Sequence, residues 1–122
     1  MPLELRHEPE DVGRLRDMID YAQEAIVLLG AMTVDQMAAD RRTFLAVSRC
    51  VEIVGEAGWK LSDGLKRAHT TIPWPLIVGM RHRMVHDYGR VDTGIVHTVI
   101  TQHLPQLIGQ LKVILAQVQP SA

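Results

Sequence analysis

One cysteine, Cys50, is the entire thiol content of this 122-residue chain. That excludes an internal disulfide and favours a reducing compartment. Aromatic residues make up only 4%, so a core must be assembled from Leu, Ile, Val, Ala and Met. An excess of either charge is missing too: 13 basic side chains face 14 acidic ones, a net charge of −1. No global field draws a polyanion, so any nucleic-acid contact has to come from a local patch. Long hydrophobic runs are absent. The most apolar early stretch, Ala25 to Met32, is too short to span a bilayer and is soon followed by Asp35. The opening Met1-Pro2-Leu3-Glu4-Leu5-Arg6 lacks the basic and apolar regions of a signal peptide. Nor does any segment alternate with period two for long enough to form a strand, and there is no repeat or linker. The expectation is one soluble, cytoplasmic, all-α domain over residues 1–122, a bundle of four or five helices.

Helical periodicity is what the chain does have. Val12, Leu15, Ile19, Ala22, Ile26 and Leu29 form one stripe from Asp11 to Leu29, with Gly30 as its stop. Thr33 and Gln36 have the spacing of a capping box opening a short helix that stops near Asp40. Asp40 then caps a longer helix with Phe44, Val47, Val51, Val54 and Leu61 on its apolar face. Gly55 and Gly58 lie inside it, each costing about 1 kcal/mol against Ala, which implies close approach of another helix. Ser62-Asp63-Gly64 breaks and restarts the chain as a short turn to about Ala68, and His69-Thr70-Thr71 is a loop. Pro73-Trp74-Pro75 opens the next helix, which Gly89 ends. Asp92 caps a last helix bearing Val96, Val99, Leu104, Leu107, Leu111, Ile114 and Val118, where Pro105 predicts a kink.

The chemistry-bearing stretch is Gly79-Met80-Arg81-His82-Arg83-Met84-Val85-His86-Asp87-Tyr88. It alone crowds arginine, histidine, acid and tyrosine together. Arg81 offers a permanent forked cation, His86 a base that titrates near neutrality, and Tyr88 a phenol. Those groups suit metal-free cleavage of RNA, in which a base activates the 2′-hydroxyl and a guanidinium stabilises the phosphorane, leaving a 2′,3′-cyclic phosphate. On an ideal helix Arg81 and His86 stand about 140° apart, so one copy makes a poor self-contained site. Two copies facing each other across a dimer axis would complete a cleft. Arg81, Arg83 and Arg90 make the one concentrated basic patch near the motif, and His82 is a further polar group there.

From Ile53-Val54-Gly55-Glu56-Ala57 through Leu61-Ser62-Asp63 and Ile72-Pro73-Trp74 to Tyr88, and on to Val91-Asp92 and Leu104-Pro105, the sequence resembles the HepT family. These are HEPN-domain ribonuclease toxins of bacterial and archaeal toxin–antitoxin pairs. The resemblance covers nearly the whole chain and is strongest from Arg49 to Pro105. It implies a HEPN-type helical homodimer that cuts RNA without a cofactor or metal, with Arg81 and His86 catalytic. It also implies a nucleotidyltransferase-fold antitoxin that moves AMP from ATP onto Tyr88, blocking RNA by charge and bulk. His82, Arg83 and Arg90 would contact RNA phosphates. Two positions depart from the family pattern: His82 stands where Asn is usual, so it could share the base role, and Gly89-Arg90 replaces an aromatic-glycine pair.

Other readings of the same residues exist. A HEPN-type adaptor without catalysis would dock a nucleotidyltransferase or bind a nucleotide through Arg81, Arg83 and Tyr88. His82 and His86, at helical spacing with Asp87 nearby, could ligate a metal, although a catalytic zinc usually needs a third protein ligand. Tyr88 could simply pack at a helix end. His7, His69, His97 and His103 read as solvated or capping side chains, and Arg41 and Arg42 as helix surface. Trp59 and Trp74 read as core or dimer packing, and Cys50 as a small buried residue.

Overall fold

A computed structural model describes residues 2–86 and 92–119, with residues 84–86 described in their backbone only. The chain is all-α; among the described residues there is no strand. After a 3-10 turn at Leu3–Leu5 come α1 (Pro9–Leu29), α2 (Val34–Ala39), α3 (Arg41–Lys60), α4 (Asp63–Ala68) and α5 (Trp74–His86). Beyond the undescribed segment follow α6 (Thr93–Thr98), a π-helical turn (Val99–His103) and α7 (Leu104–Val118). α1 is central, packing on α3 and α7, and α3 in turn carries α5. No helix among the described residues is long and apolar enough to cross a membrane.

The caps fall where short side chains can reach the free N–H groups of a first turn. Thr33 and Gln36 bond reciprocally, Gln36 N to Thr33 Oγ1 at 3.2 Å and Thr33 N to Gln36 Oε1 at 2.9 Å. Asp40 accepts from Thr43 N at 3.1 Å to start α3. Asp92 accepts from Gly94 N and Ile95 N at 2.8 and 3.2 Å to start α6. Gly30 closes α1 with φ +56°, the left-handed region that glycine enters without steric cost, and donates to Ile26 O at 3.0 Å.

The start of α1 differs from the sequence expectation. The helix begins at Pro9, not Asp11, and Asp11 is fully buried in its first turn. Its carboxylate accepts from Glu8 N at 2.7 Å, Ser62 N at 2.8 Å and Ser62 Oγ at 2.5 Å. Ser62 Oγ also accepts from Leu65 N, capping α4. One carboxylate therefore fastens the head of α1 to the joint between α3 and α4. The core stripe of α1 runs Leu15, Met18, Ile19, Ala22, Ala25 and Leu29, with Ile26 only partly buried beside it. Val47, Cys50, Val51 and Val54 meet it from α3, and Leu104, Leu107, Leu111 and Ile114 from α7.

The perturbation expected at Pro105 takes the form of the π-helical turn. Proline lacks an N–H and its ring collides with the carbonyl four residues back. Widening the chain over Val99–His103 puts Pro105 in the first turn of α7, where no intrahelical donor is required. Thr101 Oγ1 donates to His97 O at 2.9 Å within this stretch. His97 also has a structural role, with Nε2 at 2.8 Å from Met32 O just past the end of α1.

Candidate functional site

α5 is fixed at its beginning by burial. Ile72, Trp74 and Ile77 lie in the core, and Trp74 Nε1 donates to His69 O at 2.9 Å. Pro75 occupies the first turn, where its missing N–H costs nothing. Of the two roles read for Trp74, core or dimer packing, it takes the core one. Burial lowers the pKa of the neighbouring His69 imidazole.

The two interior glycines of α3 explain how α5 comes so near. A Cβ on Gly58 would stand 2.8 Å from Ile77 Cγ2 and 3.2 Å from Met18 Cε. A Cβ on Gly55 would stand 2.6 Å from the backbone N of Arg81 and 2.9 Å from its Cβ. The helix that carries the motif thus rests on bare backbone, with Arg81 at the tightest point.

Arg81 leans toward α3. Its guanidinium carbon sits 4.6 Å from the centre of the Trp59 ring, a cation–π contact. Its Nε is buried and, among the described residues, has no hydrogen-bond partner. A buried donor left unpaired costs about 1–3 kcal/mol, so such a group calls for a functional explanation. Trp59, read as core or dimer packing, is not in the core; it is 51% exposed. The spacing of Gly55 and Trp59 was the missed signal. Four residues apart, they share one face of α3 to within about 40°, so whatever lies on the glycine meets the ring.

His82 and Arg83 are exposed on α5. Arg83 does not join Arg81 in one patch, because two positions on a helix are about 160° apart. It lines instead a cleft of about 630 Å³ between α5 and the α6–α7 segment, together with Met80, Ile95, Val99 and His103. Asp92 and Gln110 border the same cleft. α5 continues through the backbone of His86, whose side chain lies outside the described residues, as do Asp87, Tyr88, Gly89 and Arg90. Among the described residues no three His, Cys, Asp or Glu side chains converge to hold a metal ion.

The described geometry offers one guanidinium, seated on α3 with an uncommitted N–H, on the same helix as a histidine five residues on. Comparison with known proteins agrees with the chemistry that such a pair suggests. The family described as Ribonuclease HepT-like matches residues 18–114. The chain is 31% identical over 101 residues to a "probable ribonuclease HepT" of Thermococcus cleftensis, covering 80% of this chain and 92% of that protein. It is 24% identical over 105 residues to a "putative RNase" of Methanocaldococcus jannaschii, covering 86% and 87%. A "putative RNase" of Caldanaerobacter subterraneus is 37% identical over 70 residues, covering 57% and 62%. No solved structure matches the chain.

Proposed function

This chain belongs to the HepT-like ribonuclease family, and on that premise we propose that it is a metal-independent endoribonuclease, the toxin of a HEPN/nucleotidyltransferase pair. The observation that carries the reading is Arg81, a cation held on α3 with a buried, unpartnered Nε–H, one helix stretch before His86. With its Nε–H buried against the protein, the guanidinium would meet an incoming anion through its terminal Nη groups.

In this reading His86 takes the proton from an RNA 2′-hydroxyl, and the 2′-oxygen attacks the adjacent phosphorus. Arg81 stabilises the doubly charged phosphorane. The P–O5′ bond then breaks, the 5′-oxygen takes up a proton, and a 2′,3′-cyclic phosphate remains. Because Arg81 turns toward α3 and His86 is about 140° further round α5, the cleft is assembled from two copies. His82, Arg83 and Arg90 contact flanking phosphates. Silencing comes from a nucleotidyltransferase-fold antitoxin: the Tyr88 phenolate attacks the α-phosphate of ATP, a phosphoester to AMP forms, and pyrophosphate leaves.

The test uses wild type shown by intact mass to be unmodified, with RNA and excess EDTA. Wild type should cut and leave cyclic phosphate ends, whereas Arg81→Ala and His86→Ala should not. Loss of wild-type cutting in EDTA, or equal cutting by His86→Ala, overturns the reading. With ATP and the antitoxin, wild type should gain one AMP and Tyr88→Phe none.

A further inference from the structure

Trp59 is unaccounted for by the core and by the motif. It is one of only two tryptophans, yet it stands half exposed on α3 beside the helix that carries Arg81. We propose that Trp59 is the positioning residue for Arg81, holding the guanidinium by its face so that its N–H fork stays open for a phosphate. This rests on the reading of Arg81 as the group that stabilises the phosphorane.

The platform itself is firmly set. One residue before it, Gly58 packs directly on Ile77 and Met18. Its own carbonyl accepts from Lys66 Nζ at 3.0 Å, which ties the last turn of α3 to α4. Four residues earlier, Gly55 touches the Arg81 backbone. α3 therefore grips Arg81 twice, at the main chain through Gly55 and at the guanidinium through Trp59.

Holding an arginine with a carboxylate would consume the donors that a phosphate needs, because a carboxylate engages the guanidinium fork edge-on. Acids are available on this part of α3. Glu52 and Glu56 lie seven and three residues before Trp59, on about the same face. Both are engaged elsewhere: Glu52 with Arg49 at 2.8 Å and Glu56 with Lys60 at 3.4 Å. Among the described residues Arg81 has no carboxylate partner. An aromatic ring binds the cation through the guanidinium plane and leaves the in-plane N–H groups directed outward. The Nε–H is buried and, among the described residues, unpartnered, so the fork offered to a phosphate would be the two terminal Nη groups.

The experiment is steady-state cleavage of a defined RNA by full-length Trp59→Leu, Trp59→Phe and Arg81→Ala, each checked for a wild-type melting curve. Trp59→Leu should lower kcat by roughly five- to thirtyfold with KM nearly unchanged, the range expected for losing a partly desolvated cation–π contact. Trp59→Phe should recover most of that loss, because a phenyl face still carries the cation. A Trp59→Leu effect confined to KM would mean that the ring stacks on RNA bases, and would overturn the proposal. Full kcat in Trp59→Leu with an inactive Arg81→Ala would overturn it while leaving the ribonuclease reading intact. Full activity in Arg81→Ala would overturn both. If Trp59→Leu does not fold, the wild type still decides. Ring-current-shifted Arg81 Nε–H and Cδ–H resonances support the contact, and unshifted ones overturn it.

Discussion

The backbone of Gly55 and the backbone of Arg81 are in direct contact, so close that a methyl group on Gly55 would stand 2.6 Å from the Arg81 nitrogen. The obstacle is main chain on a packed helix, which cannot rotate aside as a side-chain tip can. Gly55 thereby sets the distance between α3 and α5, and with it the height of the Arg81 guanidinium above Trp59.

Gly55→Ala should therefore harm both stability and cleavage. Alanine would gain about 1 kcal/mol of helix propensity, but overpacking typically costs about 1–3 kcal/mol. A net loss of roughly 1 kcal/mol is expected by denaturant unfolding, with kcat down at least about tenfold as Arg81 is displaced. Gly13→Ala in α1 is the matched control, since nothing lies within 4 Å of a Cβ there. It should stabilise by about 0.5–1 kcal/mol and leave cleavage alone. Equal effects from the two substitutions would show that propensity, not contact, governs Gly55.

What the sequence disclosed and what it hid divide along physical lines. Caps and apolar stripes involve residues three or four apart, so Thr33 with Gln36, Asp40, Asp92 and Gly30 could all be read locally, as could the close packing implied by Gly55 and Gly58. Asp11 could not, because its partner Ser62 is 51 residues away. The same holds for His97, which reaches Met32 across 65 residues. For Trp59 the residue type alone left core and dimer packing open, because aromatic burial is only a tendency, whereas its place beside Arg81 follows from which helix sits on Gly55. The basic cluster was legible only as a cluster. Arg81 and Arg83 are two positions apart in the sequence but face different neighbours, α3 and the α6–α7 cleft.

Asp11 is the natural target for destabilising the frame without touching the motif. It is fully buried and its three hydrogen bonds join two segments of the chain. Asp11→Ala would leave the Ser62 and Glu8 amides without an acceptor, at about 1–3 kcal/mol for an unsatisfied buried group. The combined loss should be roughly 2–4 kcal/mol in urea or thermal unfolding. Ser62→Ala removes only the hydroxyl contacts and should cost less. A change below about 0.5 kcal/mol in Asp11→Ala would contradict the role assigned to this carboxylate.

Stability should fall on mild acidification, and His69 gives the sign. Burial lowers its pKa from the ordinary 6.5. The unfolded chain therefore binds the proton at higher pH than the folded one does. Its contribution is fully present above about pH 6.5 and is lost as pH falls through the lower folded value. Unfolding of wild type should become easier across that interval. His69→Gln, which keeps the backbone carbonyl used by Trp74, should show a flatter profile there. An unchanged slope would mean that other groups carry the dependence.

Arg81 and Arg83 should separate cleanly in kinetics, because they occupy different surroundings. Arg81 is partly buried on Trp59, and its replacement should act on kcat. Arg83 is exposed at the edge of the cleft shared with His103, where a flanking RNA phosphate would lie. A phosphate contact binds ground state and transition state alike, so Arg83→Ala should raise KM and spare kcat. It should also lessen the salt dependence of RNA binding. Each lost contact to a single strand lowers the magnitude of the log K against log salt slope by about 0.7. Titrating RNA binding at several salt concentrations for wild type and Arg83→Ala measures this directly. A fall in kcat with an unaltered salt slope would instead move Arg83 out of the RNA path and into the reacting centre.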